Sequence, residues 1–181
     1  MVDFKKKLGN KKIEKKINPV DIYDSLDRRS ETGPLRTAQE FILTKWFQKR
    51  KDDQDLIIKL HTGEGKTLLG LLILQSYLNT EHLPCIYICP NKYLSQQVML
   101  EAKKFGISYC VIGEDNNLPN DFLDGKKLLI TYVQNVFNGK SIFGLNNNSI
   151  KVGSVILDDS HACIDSIKEA FTVSFNRDHD I

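Results

Sequence analysis

A chain of 181 residues, 41% of them hydrophobic and 27% charged, has room for one substantial core and too little length for two large domains. The apolar run Leu68 to Leu74 is far short of a membrane span, and no apolar stretch follows the lysine-rich start, so a soluble, cytoplasmic chain without a membrane partner is expected. The formal net charge of +2 is unevenly spread, with +6 over residues 1–50 and −4 over the rest.

The excess sits in KKKLGNKKIEKK (5–16), so residues 1–17 read as a basic, solvated, flexible arm. The alternative for such a run is contact with nucleic-acid phosphates. Residues 18–54 read as a helical entry segment: NPVDIYDSLDRR, a Gly33-Pro34 break, then LRTAQEFILTKWFQKRK. There Leu35, Ala38, Phe41, Ile42 and Trp46 recur at helical intervals, which predicts one buried face.

From Asp55 onward short β-rich runs alternate with helical ones, and residues 55–181 form the third region. Strands are expected at LIIKL (56–60), CIYICP (85–90), ISYCVI (107–112), LLITY (128–132) and SVILDD (154–159). Helices are expected at 67–78, apolar nearly all round, and at 94–106, where Gly106 supplies a stop. NNLPND (116–121) reads as a loop and GLNNNSIKVG (144–153) as turn-rich. Continuous apolar strands between helices predict an α/β fold with a mainly parallel sheet covered on both faces. The four cysteines, Cys85, Cys89, Cys110 and Cys163, form no Cys-x-x-Cys pair and read as reduced, buried hydrophobes rather than a metal centre.

HTGEGKT (61–67) follows an expected strand and opens an expected helix. Glycines there let the backbone curl until several N–H groups face one anion, and the helix adds the positive end of its dipole. The usual spacing, Gly-x-x-x-x-Gly-Lys-Ser/Thr, asks for a glycine at position 60, where this chain has Leu60. Gly63 and Gly65 remain where the chain must bend, with Thr62 and Glu64 completing the loop. Lys66 would reach the outer phosphates of a nucleotide, and the Thr67 hydroxyl would hold Mg²⁺.

The apolar run Val155-Ile156-Leu157 delivers Asp158 and Asp159 to the C-terminal end of its strand, where ligand sites of open α/β sheets lie. Two carboxylates so placed suit a hydrated metal ion and a water to be oriented. A helix cap is the competing reading, since Asp and Ser are favoured there.

Together these residues resemble the superfamily 2 helicases of the DEAD/DEAH-box type. That group writes its phosphate loop Ala-x-Thr-Gly-x-Gly-Lys-Thr, and the chain has Leu60-His61-Thr62-Gly63-Glu64-Gly65-Lys66-Thr67. Its Asp-Glu-x-His box is matched by Asp158-Asp159-Ser160-His161. PLRTAQ (34–39) is similar to the segment whose glutamine reads adenine, here Gln39. CPNKYLSQQ (89–97) and ITYVQNVF (130–137) are similar to the two segments that touch the nucleic-acid backbone. The resemblance implies a RecA-like P-loop domain binding ATP and Mg²⁺ and acting on DNA or RNA. Lys66, Asp158, Asp159 and His161 would carry catalysis, with Gln39 and residues Thr62 to Thr67 on the nucleotide. Thr67 and Asp158 would hold the metal, and Pro90, Asn91, Lys92, Gln97, Thr131 and Tyr132 would face the nucleic acid.

Two departures matter. The family's base is Glu, and Asp159 is shorter by about 1.5 Å, so hydrolysis is expected to be slow. The family's Ser-Ala-Thr strand, which lies between the phosphate-loop strand and the carboxylate strand, has no clear match, and FTVSF (171–175) lacks the signature. A domain incomplete at its C-terminus is therefore expected, needing a second RecA-like domain or a partner chain for activity. A non-catalytic nucleotide-binding or docking module is the main alternative. A GTPase or small-molecule kinase is disfavoured by the Asp-Asp-x-His box and by the lack of Asn-Lys-x-Asp.

Overall fold

The computed structural model describes residues 15–139, 141–144 and 149–173, so most of the expected basic arm and the end of FTVSF lie outside the described residues. Pro19–Ser25 forms α1. The Asn18 side chain accepts from the Val20 N–H at 3.0 Å, and Pro19 takes the first helical position, where no N–H is needed. After the Gly33-Pro34 interruption, Thr37–Lys49 forms α2.

The inner face of α2 differs from the expected one. Gln39, Leu43 and Trp46 are buried, Leu35 and Ile42 partly so, while Ala38 and Phe41 face outward. The stripe rotates because Gln39 is drawn inward by two hydrogen bonds described below. Phe41, 58% exposed, instead carries the Lys45 ammonium 4.6 Å above its ring.

Lys66–Glu81 forms α3. Its run from Leu68 to Leu74 is buried without interruption, as an all-round apolar helix must be. It packs against α1, α2 and the helix Lys92–Lys104 (α4) on its flanks, and against the sheet below. Burying each of its leucines contributes about 1.5–3 kcal/mol, so α3 is the fixed element from which the preceding loop hangs.

The sheet comprises Cys85–Cys89 (β1), Tyr109–Cys110 (β2), Leu128–Tyr132 (β3) and Ser154–Leu157 (β4), all parallel in the order β2-β3-β1-β4. Alternate residues of the central strands enter two cores. Cys85, Tyr87, Cys89, Leu128 and Ile130 pack under α1 to α4. Ile86, Ile88 and Leu129 pack with Phe122, Phe143 and Cys163 on the other face. That face is covered by Asn120–Leu123 (α5), Val133–Val136 (α6) and Ser160–Ala170 (α7). The expected α/β fold with a parallel sheet between helical layers is the observed one.

Three expected elements are corrected. The strand at 107–112 shrinks to Tyr109–Cys110, because β3 offers it partners only at Leu128 and Leu129. The loop at 116–121 runs into α5 at Asn120, with Pro119 in the cap position. Residues 56–60 form no strand at all. Leu56, Ile57 and Ile58 are exposed, Ile57 by 77%, and among the described residues no ladder reaches them. β propensity needs a neighbouring strand to be realised, and here there is none. The outer edge of β4 is likewise unpaired among the described residues, and Val155 on it is 49% exposed.

α3 approaches the sheet at Gly70. A Cβ there would lie 2.9 Å from Tyr87 Cε2 and 3.5 Å from Ile156 Cγ2, both on the buried face. Gly70→Ala gains helix propensity but overpacks a ring that has nowhere to go, so the net expectation is a loss of about 1–2 kcal/mol. At about 2–4 °C per kcal/mol for a chain of this size, thermal unfolding should show a drop of several degrees. An unchanged or raised midpoint would contradict this packing.

Candidate functional site

The loop 61–65 turns on Gly63 at φ +85 and Gly65 at φ +78, a region that side-chain-bearing residues seldom adopt. Gly65 occupies the cap position of α3 with no side-chain hydrogen bond to the first turn, so that turn's N–H groups have no side-chain cap. A Cβ on Gly65 would also collide with Gln39 Nε2. Gln39, only 7% exposed, holds this loop: its Nε2 donates to the Glu64 carbonyl at 2.9 Å, while its Oε1 accepts from the Arg36 N–H at 3.0 Å. Arg36 Nη1 donates to the Gly63 carbonyl at 2.8 Å. Glu64 Oε2 accepts from the His61 N–H at 3.3 Å, closing the loop on itself. Thr62 and Lys66 are exposed, and Thr67 is half-buried.

Opposite this loop is the end of β4. Its ladder with β1 pairs Leu157 with Ile88, and the Asp158 N–H extends it by donating to the Ile88 carbonyl at 2.8 Å. Burial pushes the Asp158 carboxyl above its ordinary value; the Tyr87 hydroxyl opposes that, the charge of Asp159 reinforces it, and the Lys66 ammonium opposes it. The Lys66 charge thus bears on Asp158, although the two form no direct ion pair among the described residues. The Cys163 thiol, pushed up to about 11 chiefly by burial, keeps its proton and donates to the Asp158 carbonyl at 3.0 Å.

Asp159 has φ +48 and caps α7, its Oδ1 accepting from the Ala162 N–H at 3.5 Å. The helix-cap reading is thus realised at Asp159. His161 lies exposed in the first turn of α7.

Among the described residues no cluster of three or more His, Cys, Asp or Glu side chains gathers as a metal cage. Thr67 and Asp158 offer a hydroxyl and a carboxylate, both hard oxygen donors. That set fits Mg²⁺, which takes one or two carboxylates and completes its shell with phosphates and waters.

A second feature opens at the same end of the sheet: a cleft of about 320 Å³ between α4 and the end of β3, lined by Lys92, Gln96, Asn116, Thr131, Tyr132 and Asn135 among others. Pro90 is buried at the end of β1, and Asn91 caps α4 by accepting from the Leu94 N–H at 3.0 Å. Thr131, buried, accepts from Asn135 Nδ2 at 3.1 Å. Lys92, Thr131 and Tyr132 are brought together here, whereas Gln97 is turned aside to donate to the Tyr93 hydroxyl at 3.0 Å.

Several site residues escape a reading of the sequence. Gln96 lines the cleft where Gln97 was expected to face nucleic acid, because the helical phase of α4 cannot be fixed from a short polar run. Arg36 lies within the quoted PLRTAQ, but its bond to Gly63 is a tertiary contact. Tyr87 had a signal: it is the one hydroxyl within the apolar strand CIYIC.

A family model described as type III restriction enzyme, res subunit, matches residues 32–177. No curated protein and no solved structure matches the chain. Among the described residues, no helix is long and apolar enough to cross a membrane.

Proposed function

Because the chain belongs to the type III restriction enzyme res-subunit family, and its matched region is a helicase superfamily 2 N-terminal RecA-like domain, we propose that it binds Mg²⁺-ATP and couples its hydrolysis to movement along DNA or RNA. The full motor would be completed by a second RecA-like domain or a partner chain. The observation that carries this reading is the seating of α3, with Lys66 and Thr67 in its first turn, on the strand pair whose end carries Asp158, Gly70 lying against Tyr87 and Ile156.

The backbone N–H groups at Gly63 to Thr67 would cradle the phosphates, with the positive end of α3 behind them. Lys66 would hold the outer phosphates as a point charge. Gln39 spends one N–H and one lone pair on the loop and Arg36. It retains one of each, the pair that a bidentate contact to adenine N7 and N6 uses. Thr67 and Asp158 would hold Mg²⁺, which when bound neutralises charge developing on the transferred phosphoryl group. Asp159 would polarise the attacking water, and His161, in the first turn of α7, would link this side of the site to the nucleic-acid side. Lys92, Thr131 and Tyr132 would meet the nucleic-acid backbone in the adjoining cleft, a positioning contact that carries no sequence information.

A second reading has its own observation. The Asp159 carboxylate is spent on the α7 cap and is shorter than the family's Glu. A displacement near 1 Å costs about a hundredfold in rate, so nucleotide binding with negligible turnover, in a module that docks partners, is the alternative. ATP turnover stimulated by nucleic acid separates the two.

The binding claim is tested by thermal unfolding with and without Mg²⁺-ATP. At about a hundred times the Kd, ATP should stabilise the native chain by about 2.7 kcal/mol, and Lys66→Ala should abolish the shift. An unshifted wild-type melt would contradict nucleotide binding. For the cleft, Lys92→Ala should weaken binding to DNA or RNA irrespective of sequence and reduce the slope of log affinity against log salt by about 1. An unchanged slope would remove Lys92 from the interface.

A further inference from the structure

Tyr87 has no part in the mechanism above, yet it lies under the centre of the site. The β1–β4 ladder pairs it with Ile156, two residues before Asp158. From above, α3 lays Gly70 on its ring, with the ideal Cβ position 2.9 Å from Cε2 and 3.5 Å from the hydroxyl oxygen. Thr67 precedes Gly70 by three residues and so shares its helix face. The side chain is 1% exposed, and its hydroxyl is near enough to Thr67 and Asp158 for both to act on it. A carboxylate can only accept, so a bond between them would run from the phenol to Asp158, leaving the phenol oxygen to accept from the Thr67 hydroxyl.

We propose that Tyr87 is a positioning residue for the metal, one that ties the Thr67 hydroxyl to the Asp158 carboxylate so that both oxygens are held at one place before Mg²⁺ arrives. This rests on the reading of Thr67 and Asp158 as the metal-holding pair. Thr67 belongs to α3 and Asp158 follows the end of β4, and β1, which carries Tyr87, packs against both elements. A fixed hydroxyl that contacts both restricts the carboxylate's rotation and sets its distance from α3. Groups that orient metal-holding side chains in this way typically account for about 10–100-fold in metal affinity. The strand could bury a Phe ring here equally well, so the oxygen is the part of Tyr87 that calls for a role.

The test is a Mg²⁺ titration at a fixed concentration of a non-hydrolysable ATP analogue, read as the Mg²⁺ concentration giving half of the ligand-induced rise in melting temperature. Wild type, Tyr87→Phe, Asp158→Asn and the double variant are compared. Tyr87→Phe should raise that midpoint about tenfold, and the same substitution on the Asp158→Asn background should change it less than twofold. A purely structural tyrosine would lower the ligand-free melting temperature and leave the midpoint in place, and that result would overturn the proposal. An equal rise in both backgrounds would overturn it as well, because Tyr87 would then not act through Asp158. A wild type with no Mg²⁺-dependent rise would instead strike down the metal-holding pair itself, and this proposal with it.

Discussion

The parallel ladder between β1 and β4 is the constraint on which the candidate site depends. It fixes Asp158 one step beyond the last strand pair, through the bond from its N–H to the Ile88 carbonyl. The helix that carries Lys66 and Thr67 is seated on that same pair of strands, with Gly70 against Tyr87 and Ile156. Phosphate loop and carboxylate therefore share a single reference surface. Neither is positioned by a surface ion pair, which would be worth less than about 1 kcal/mol and would weaken with salt. What holds them is the buried apolar packing of α3 and the backbone hydrogen bonds of two strands.

Much of this was legible from residue pattern. Strands buried on both faces leave continuous apolar runs, and the bounds of β3 follow LLITY residue for residue. α3 was visible because a helix apolar on all sides has only one place to go. What escaped detection depends on partners distant in sequence. Gln39 is buried where the Glu64 carbonyl, 25 residues later, accepts a hydrogen bond from its Nε2; no periodicity of α2 announces that, and the inner face is turned accordingly. LIIKL has the composition of a strand but no adjacent ladder among the described residues, and composition does not reveal whether a neighbour exists. The phosphate loop itself could be read because its glycines and its Lys-Thr pair are adjacent in sequence. The cleft beside it could not, since its walls come from α4, β3 and the turn at Asn116.

Asp159 concentrates a conflict between stability and chemistry. At φ +48 it sits where Asp is among the few non-glycine residues tolerated, and its short side chain reaches back to the Ala162 N–H. A Glu would suit the water-polarising role of the resembling family better but would be a poorer cap. The same carboxylate also repels charge on Asp158, reinforcing the effect of burial on that group. Lys66 and Tyr87 act in the opposite sense, but burial prevails and the Asp158 carboxyl stays above its ordinary value. The local charge balance thus involves α3, β1 and α7 together rather than any one motif.

The central claim is that the loop at 61–67 and the carboxylates at 158–159 form one nucleotide site. Hydrogen exchange followed along the chain, with and without Mg²⁺-ATP, tests it most directly. Expected is slowed exchange at Gly63 to Leu68 and at Asp158 to Ala162, appearing together over the same range of nucleotide concentration. Protection of the loop alone, with 158–162 unaffected at saturation, would contradict a shared site and leave Asp159 as nothing more than the cap of α7.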